Sequence, residues 1–452
     1  MPCRATLTQL TQVLAASPIN LSDVASTCIG IATDTRSLKP GEVFVALRGE
    51  KFDGHEFVAE AIASGAIAAV VDFQYQECGL PVLQVRDTLQ AYQQIASWWR
   101  QQLKIPVIGI TGSVGKTTTK ELIAAVLGIQ GNVLKTHANY NNEIGVPKTL
   151  LQLESTHDFA VIEMAMRAKG EIALLTQLVR PTVGVITNVG TAHIERLGSE
   201  DAIAQAKCEL LAEMPPDSVA ILNHDNPRLI ATAKTVWQGK TLTYGLSGGN
   251  LQAELIDAQT IRVEGIKLPL PLPGQHNASN FLAALAVAKV LQIDWSPLAA
   301  GLEVNLPSGR SQRYELPNDV ILLDETYNAA PEAMVASLQL LAQTPGKRHI
   351  AVLGAMKELG ERSRELHQQV GAMARQLNLD ALLILVDGED AKAIAQTADG
   401  IPSECFTTHE ALLKRLQEVV KEGDRILFKA AHSVGLDRVV NQFRAEFLNE
   451  TN

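Results

Sequence analysis

The stretch Ile105-Pro-Val-Ile-Gly-Ile-Thr-Gly-Ser-Val-Gly-Lys-Thr-Thr118 determines the fold predicted for this chain. Its first six residues are apolar and read as a buried strand, and the next eight form a glycine-rich loop. In such a loop the backbone N–H groups point at phosphate oxygens, and the following helix adds the positive end of its dipole. Lys116 supplies a cation for the outer phosphates and Thr117 a hydroxyl for Mg²⁺. The sequence therefore predicts a nucleotide-binding phosphate loop.

The loop departs from the general motif G-x-x-x-x-G-K-[ST], because Ile110 stands where the first glycine would be. The glycine present is Gly112, which gives the shorter form T-G-x-x-G-K-T-T. An ordinary glycine-rich turn is the alternative, but the order of strand, Gly-Lys-Thr and helix favours the phosphate loop. We expect the helix to end near Leu127, with Gly128 as its C-cap. The expected nucleotide contacts are Thr111, Gly112, Ser113, Val114, Gly115, Lys116, Thr117 and Thr118.

Length and charge limit the possible classes of protein. At roughly 150 residues per domain, a chain of 452 residues is expected to form about three domains. Its 39 Lys and Arg residues against 49 Asp and Glu residues give a net charge of −10. Because nucleic-acid backbones are bound by many basic side chains, we expect no nucleic-acid partner. A hydrophobic content of 46% with 19% charged residues is typical of a folded globular chain.

Cysteine usage and apolar runs indicate a soluble, cytoplasmic protein. The five cysteines form no C-x-x-C pair, which argues against a disulfide scaffold and a thiolate zinc site. They are Cys3, Cys28, Cys78, Cys208 and Cys405. We find no secretory signal at the N-terminus. The most apolar stretch, residues 61–71, is interrupted by Ser64 and Gly65 and is far shorter than the ~20 residues of a membrane span.

Short β-branched runs alternate with longer Ala- and Leu-rich runs along the whole chain, which predicts an α/β fold with parallel sheets. Polar residues near 99–104 and the Pro- and Gly-containing segment 305–309 interrupt this pattern. We therefore predict a small N-terminal α/β domain, a central P-loop parallel-sheet ATPase domain and a C-terminal Rossmann-like α/β domain. Their boundaries are placed at residues 1–103, 104–308 and 309–452.

Three further side chains could serve the phosphate loop. Glu163 ends a predicted buried strand, where an acid in P-loop proteins reaches Mg²⁺. His193 follows the strand 183–187, at the sheet edge where ligands bind in α/β folds. Lys207 lies on a predicted helix, residues 201–213. Each has a plainer alternative: a solvated strand-end acid, a structural histidine and a surface lysine.

Two competing classes of nucleotide-binding protein are not supported. A GTPase needs D-x-x-G after a strand and [NT]-K-x-D for guanine, and neither pattern occurs in the chain. The segment Gly354-Ala-Met-Lys-Glu-Leu-Gly360 follows a predicted strand, but its glycine spacing does not match the dinucleotide motif G-x-G-x-x-G. We therefore expect neither a guanine nor a nicotinamide site.

Several further motifs, taken with the phosphate loop, resemble the Mur ligase family over essentially the whole chain. They are Asp34-Thr-Arg36, Gly41-Glu-Val-Phe-Val-Ala-Leu47, Asp53-Gly-His55, Asn141-Asn-Glu-Ile-Gly-Val-Pro147, His276-Asn-Ala-Ser-Asn280, Gly309-Arg310, Asp324-Glu-Thr-Tyr-Asn-Ala-Ala-Pro331, the segment 354–360 with His367, and Lys429-Ala-Ala-His-Ser433. The segment 141–147 most resembles the members of the family that add D-alanyl-D-alanine.

The resemblance implies an ATP-dependent amide ligase. Such an enzyme joins D-alanyl-D-alanine to UDP-N-acetylmuramoyl-tripeptide through an acyl phosphate and yields the pentapeptide precursor of peptidoglycan. It implies ATP and two Mg²⁺ ions as cofactors, and a monomer is expected. The third residue of the accepted peptide is either diaminopimelate or lysine. The alternatives are the preceding, tripeptide-forming Mur ligase, the related folylpolyglutamate synthase, or a regulatory P-loop ATPase.

The resemblance also assigns roles to individual residues. The catalytic set is Lys116, Glu163, His193, Lys207 and Arg310. Mg²⁺ would be held by Thr117, Glu163, His193 and a carbamate formed on Lys207. Further ATP contacts are Asn277 and Asn280 near adenine, Arg310 at the γ-phosphate and Asp324 at the ribose or phosphates. The substrate contacts are Thr35, Arg36, Asn141, Asn142, Tyr327, Asn328 and Lys429. The arginine common three positions after Lys429 is absent in the motif here, so its role is not transferred to His432.

Overall fold

The computed structural model describes residues 2–21, 23–76 and 79–450. Cys78, one of the five cysteines, lies outside these residues. The described chain forms three main sheets and one two-stranded pair. Within the described residues, no helix is both long enough and apolar enough to cross a bilayer.

The N-terminal segment contains a five-stranded sheet in the order β2-β7-β6-β5-β4, in which only β2 is antiparallel to its neighbour. Strands β1 and β3 form a separate antiparallel pair. The elements are β1 (Ala5–Thr6), α1 (Leu7–Leu14), β2 (Ser17–Ile19), β3 (Thr27–Cys28), β4 (Ile31–Ala32), β5 (Val43–Val45), α2 (Val58–Ala63), β6 (Ala68–Asp72), β7 (Val82–Val85) and α3 (Thr88–Gln101).

The central segment is built on a nine-stranded sheet in the order β16-β15-β14-β13-β12-β11-β8-β10-β9. The elements are β8 (Val107–Thr111), α4 (Lys116–Gly128), β9 (Val133–Lys135), α5 (Gly145–Leu150), β10 (Phe159–Glu163), α6 (Glu171–Val179), β11 (Val183–Ile186), α7 (Ile194–Leu197), α8 (Glu200–Glu213), β12 (Val219–Asn223), α9 (Pro227–Val236), β13 (Lys240–Gly245), β14 (Leu251–Asp257), β15 (Thr260–Val263), β16 (Ile266–Pro269) and α10 (Gln275–Val290). Along the sheet, the strands β9, β10, β8, β11, β12, β13 and β14 are parallel to one another. The strands β14, β15 and β16 form an antiparallel ribbon.

The C-terminal segment carries a six-stranded sheet in the order β17-β18-β22-β19-β20-β21, with β17 alone antiparallel. The elements are β17 (Gln312–Leu316), β18 (Val320–Asp324), α11 (Pro331–Gln343), β19 (Arg348–Gly354), α12 (Ser363–Gln376), β20 (Ala381–Leu385), α13 (Lys392–Thr397), β21 (Ser403–Phe406), α14 (His409–Val419), β22 (Asp424–Lys429) and α15 (Leu436–Glu450). The predicted α/β class with parallel sheets is confirmed.

The hydrophobic cores do not follow the three sheets one by one. One core joins Leu10 and Ile95 of the N-terminal segment to Ile172 and Leu210 of the central one. The C-terminal sheet has a core of its own, from Leu316 to Phe443. Each sheet lies within one predicted segment, but the boundaries at 103/104 and 308/309 stay predictions, because the first two segments share a core.

The predicted C-cap of α4 is wrong. Gly128 is the last residue of the helix, and the chain passes through Ile129 in the right-handed region. The N–H groups of Gln130 and Gly131 both bond the carbonyl of Leu127, at 3.0 and 3.2 Å. Because the turn continues right-handed, no left-handed glycine is needed at position 128.

Candidate active site

The phosphate loop connects β8 to α4, and two of its glycines are required by close approach. A Cβ on Gly112 would lie 1.9 Å from Oγ1 of Thr187, and one on Gly115 would lie 2.6 Å from Oδ1 of Asn280. Gly115 also has a φ of +81°, a left-handed conformation that favours glycine. Lys116 begins α4, and its Nζ folds back to donate to the Gly112 carbonyl at 2.7 Å. The loop therefore has the tight backbone that a phosphate cradle needs.

Lys116 and Glu163 face each other across this loop. Burial lowers the pKa of Lys116; the charge of Glu163 opposes this shift and that of Arg310 adds to it. Glu163 ends β10 and is buried, and its Oε1 accepts a hydrogen bond from Nδ2 of Asn141 at 2.9 Å. Its other oxygen, Oε2, is buried without a hydrogen-bond partner. A solvated strand-end acid is therefore excluded, and Oε2 is open to a ligand.

The donor set around Glu163 fits Mg²⁺. The described residues contain no group of three or more His, Cys, Asp or Glu side chains that could hold a metal ion. Mg²⁺ does not need such a group, since it keeps several waters and binds through one or two carboxylates and substrate phosphates. The unpaired Oε2 of Glu163 and the hydroxyl of Thr117, both on the same cavity, supply such oxygens.

His193 connects the central sheet to the C-terminal segment. It precedes α7 with a φ of +67°, and its Nδ1 hydrogen-bonds Oε2 of Glu358. The backbone N–H of Glu195 donates to the Glu358 carbonyl at 3.3 Å. Burial lowers the pKa of His193, and the positive charge of Lys116 lowers it further. One ring nitrogen is therefore occupied, and only Nε2 is left for a ligand.

Lys207 is not a surface lysine. It lies on α8 and is only 2% exposed. Burial lowers its pKa well below the ordinary value, and the charge of Lys116 lowers it further. No ion pair among the described residues includes Lys207, so no carboxylate offsets the loss of water.

The C-terminal segment contributes a stack of three side chains. The guanidinium carbon of Arg310 lies 3.8 Å from the centroid of the Tyr327 ring. The ring of His432 stacks on Tyr327, with centroids 5.5 Å apart and an angle of 22°. Cation–π contact of this kind orients a guanidinium. Position 432 thus supports Tyr327 with a ring, a role that sequence reasoning missed.

Lys429 and Asp324 occupy neighbouring strand ends with different surroundings. Lys429 is buried, which lowers its pKa, and its Nζ donates to the Asn328 carbonyl at 3.1 Å. Glu325 Oε2 lies 3.8 Å from the same nitrogen. Asp324 Oδ1 accepts hydrogen bonds from the N–H and hydroxyl of Thr326, at 3.0 and 2.6 Å. The Asp324 carboxyl therefore orders this turn and is not among the described residues that line the cavity.

Asn277 and Asn280 lie in the first turns of α10 and are buried. Asn280 Nδ2 donates to Asn277 Oδ1 at 3.3 Å, and Thr119 Oγ1 donates to Asn280 Oδ1 at 3.2 Å. Gly274 occupies the N-cap position of this helix, so Asn277 does not cap it. The two amides instead connect α10 to the helix of the phosphate loop.

A cavity of about 690 Å³ between the central and C-terminal sheets brings most of these side chains together. The predicted site residues on its wall are Ser113, Val114, Gly115, Lys116, Thr117, Thr118, Asn141, Glu163, His193, Asn277, Asn280, Arg310, Tyr327, Asn328 and Lys429. The structure does not place the others on it: Thr35, Arg36, Thr111, Gly112, Asn142, Lys207 and Asp324. The cavity also has acidic residues that sequence reasoning missed, Asp225, Glu325 and Glu332.

Arg36 and Asn142 have local partners away from this cavity. Arg36 is highly exposed and pairs with Asp34 at 2.6 Å, and its hydrogen bond lowers the pKa of Asp34 to about 2. Oδ1 of Asn142 accepts hydrogen bonds from the N–H groups of Ile144 and Gly145 at the start of α5. Their proposed substrate contacts therefore need a surface beyond the wall of this cavity.

Three family models match the chain in the order of its sheets. Residues 28–100 match the Mur ligase family catalytic domain, residues 110–288 the Mur ligase middle domain, and residues 309–432 the Mur ligase glutamate ligase domain. Together these models match well over half of the chain. The chain therefore belongs to the Mur ligase family.

Individual relatives narrow this assignment. A UDP-N-acetylmuramoyl-tripeptide–D-alanyl-D-alanine ligase from Synechocystis sp. is 58% identical over 418 residues, which is 92% of both chains. A crystal structure of MurF from Acinetobacter baumannii is 30% identical with a TM-score of 0.89, covering 98% of this chain and 99% of that one. A crystal structure of MurF ligase from Thermotoga maritima in complex with ADP is 31% identical with a TM-score of 0.84, covering 93% and 98%.

Proposed function

We propose that this chain is an ATP-dependent ligase that joins D-alanyl-D-alanine to UDP-N-acetylmuramoyl-tripeptide and forms the pentapeptide precursor of peptidoglycan. The observation that carries the proposal is the cavity in which Lys116 and Glu163 of the central sheet meet Arg310 and Lys429 of the C-terminal segment. The 58% identity to a ligase of this name, over 92% of both chains, supports the same activity.

Each segment has a proposed task. Residues 1–103 bind the UDP-sugar, with Thr35 and Arg36 as contacts. Residues 104–308 bind ATP, as the relative solved with ADP supports. Residues 309–452 close over ATP and bind the incoming dipeptide. A cytoplasmic location and a monomeric state stay predictions.

The proposed reaction has two steps. The terminal carboxylate of the tripeptide attacks the γ-phosphorus of ATP, and ADP leaves to give an acyl phosphate. The free amine of D-alanyl-D-alanine then attacks the acyl carbon, so that a C–N bond forms and inorganic phosphate leaves. Lys116, Arg310 and Lys429 stabilise the negative charge that develops on the phosphates, and the rigid phosphate loop aligns the two reacting groups.

Two Mg²⁺ ions are part of the proposal, with Thr117, Glu163, His193 and a carbamate on Lys207 as their protein ligands. When bound, the ions neutralise phosphate charge and polarise the transferred phosphoryl group. For His193 the available atom is Nε2, since Nδ1 bonds Glu358.

The burial of Lys207 supports the carbamate. Its pKa is lowered by loss of water, so that the unprotonated amine is favoured. That amine attacks CO₂, a proton is released, and the product is a carbamate whose single negative charge is shared by two oxygens. The cation of a surface lysine would not react in this way. Oxygen ligands of this kind suit Mg²⁺.

The test is a ligation assay with defined substrates. The protein is supplied with ATP, Mg²⁺ and UDP-N-acetylmuramoyl-tripeptide, in its diaminopimelate and lysine forms, with and without D-alanyl-D-alanine. Phosphate release and the mass of the nucleotide product are measured. We expect phosphate release and the ligated nucleotide product only when ATP, the UDP-linked tripeptide and D-alanyl-D-alanine are all present. Release without either substrate would indicate a regulatory ATPase. A parallel reaction supplies UDP-muramoyl-dipeptide and a single amino acid, and product formation in it would indicate the preceding ligase.

A further inference from the structure

Glu332 carries a carboxylate oxygen that no group in the described chain satisfies. It lies in the first turn of α11, and its Oε1 accepts hydrogen bonds from the N–H and the hydroxyl of Thr191, at 2.7 and 2.9 Å. Its Oε2 is buried and has no hydrogen-bond partner. Burying an unpaired carboxylate oxygen is costly, so a donor from outside the chain is expected at this atom.

The position of Glu332 relates it to the second step of the proposed reaction. It lies four residues after Asn328, on the wall of the cavity that also contains Lys116 and Arg310. Thr191, which holds its Oε1, belongs to the loop between β11 and His193. The carboxylate therefore lies where the C-terminal segment meets the central sheet.

The charge of the group indicates the chemistry of its partner. Lys116, Arg310 and Lys429 are cations on the same cavity and suit phosphates and carboxylates. Ionised Glu332 can only accept hydrogen bonds, so it suits a cationic donor. ATP is anionic, and the UDP-linked peptide is anionic overall, with an ammonium group only on the side chain of its third residue. The incoming dipeptide differs because its ammonium group is the group that must react.

We propose that Oε2 of Glu332 binds the ammonium group of the incoming amino substrate. The inference rests on the proposed function and names the residue that recognises its third substrate. Thr191 fixes the other oxygen, so the carboxylate is held in one orientation. Glu332 then positions the nitrogen atom that must reach the acyl carbon; no proton transfer is assigned to it.

The test compares Glu332→Gln with wild type and with Glu410→Gln, the same change in the first turn of α14. The glutamine keeps an oxygen for Thr191 but places an amide N–H₂, which cannot accept a hydrogen bond, where Oε2 was. We expect the KM for D-alanyl-D-alanine to rise about 10- to 100-fold, as for the loss of one charged hydrogen bond. The KM values for ATP and the UDP-linked peptide stay unchanged. Glu410 is exposed and lies away from the cavity, so Glu410→Gln leaves the dipeptide KM near that of wild type.

A second measurement uses D-lactyl-D-alanine, in which a hydroxyl replaces the ammonium group. It is tested as an inhibitor, and we expect equal inhibition constants for wild type and Glu332→Gln. An unchanged dipeptide KM in Glu332→Gln would overturn the inference, as would the same rise in Glu410→Gln. If wild type forms no product with D-alanyl-D-alanine, the proposed function is wrong, but the role of Glu332 can still be tested. The KM values of wild type and Glu332→Gln are then compared for the amine that wild type accepts.

Discussion

Replacing Lys207 by methionine separates its chemical role from its packing. Methionine is unbranched and apolar, and it fits the volume of a lysine that is only 2% exposed. The variant keeps the packing of α8 but cannot form a carbamate. We expect it to lose turnover by orders of magnitude, and to be more stable than wild type at pH 7 when CO₂ is excluded.

The magnitude follows from the direction of the pKa shift. The unfolded lysine titrates near 10.4, while burial lowers the pKa of folded Lys207 well below its usual value. Between these two pKa values the unfolded state binds one proton more than the folded state, so the stability of wild type rises with pH. Wherever the pH lies between these two pKa values, the slope is about 1.4 kcal/mol per pH unit. The advantage of Lys207→Met shrinks by this amount for each such pH unit.

The assay is urea unfolding of both proteins at pH 7, 8 and 9 in buffers free of CO₂. Lys234→Met, at an exposed position of α9, is the matched control, and its stability difference should not change with pH. Adding bicarbonate should stabilise wild type and leave Lys207→Met unchanged, since a modification of the folded state alone adds to its stability. A stability difference between wild type and Lys207→Met that is constant from pH 7 to 9 would refute the buried, neutral amine.

Three further substitutions test other parts of the site and fold. Tyr327→Leu removes the ring under Arg310 and should lower kcat/KM for ATP about 3- to 30-fold, the range of one cation–π contact, while Tyr327→Phe retains most activity. Gly115→Ala forces a side chain into a φ of +81° and should abolish ADP binding in calorimetry at a stability cost of only about 1–2 kcal/mol. Arg348→Met leaves the fully buried Asp424 without its 2.6 Å partner and should destabilise the protein by roughly 3 kcal/mol in urea unfolding, whereas an unchanged midpoint would contradict this pairing.

The phosphate loop could be predicted from the sequence because its structure is local. A strand, a glycine turn and a helix follow one another between residues 107 and 128, and the glycines report the tight backbone directly. The positions of Glu163 and His193 at the carboxyl ends of strands could also be predicted, because the carboxyl ends of parallel strands lie at one edge of a sheet.

The contacts between segments could not be predicted in this way. His193 pairs with Glu358, and Thr191 with Glu332, across 165 and 141 residues of sequence. These pairs depend on how two sheets pack, which no local pattern records. The burial of Lys207 is a similar case, because an isolated lysine on a helix reads as a surface residue until the tertiary structure covers it.

The antiparallel ribbon β14 to β16 was missed for a different reason. Its strands are four to seven residues long, and most of β14 beyond Ala253 is exposed. Without a continuous apolar run, these residues resemble a polar loop. The wrongly predicted C-cap of α4 is the opposite error. Gly128 lies at the end of the helix, but the chain continues there in a right-handed conformation that does not require glycine.

The polar contact between the central and C-terminal segments also affects how the enzyme exchanges its substrates. The two bodies have separate hydrophobic cores and meet through pairs such as Thr191 with Glu332 and His193 with Glu358. Separating them would transfer these polar groups to water, which solvates them well. We therefore propose that the cleft opens once per catalytic cycle at low cost, and that ligands bound on both sides supply the free energy that closes it.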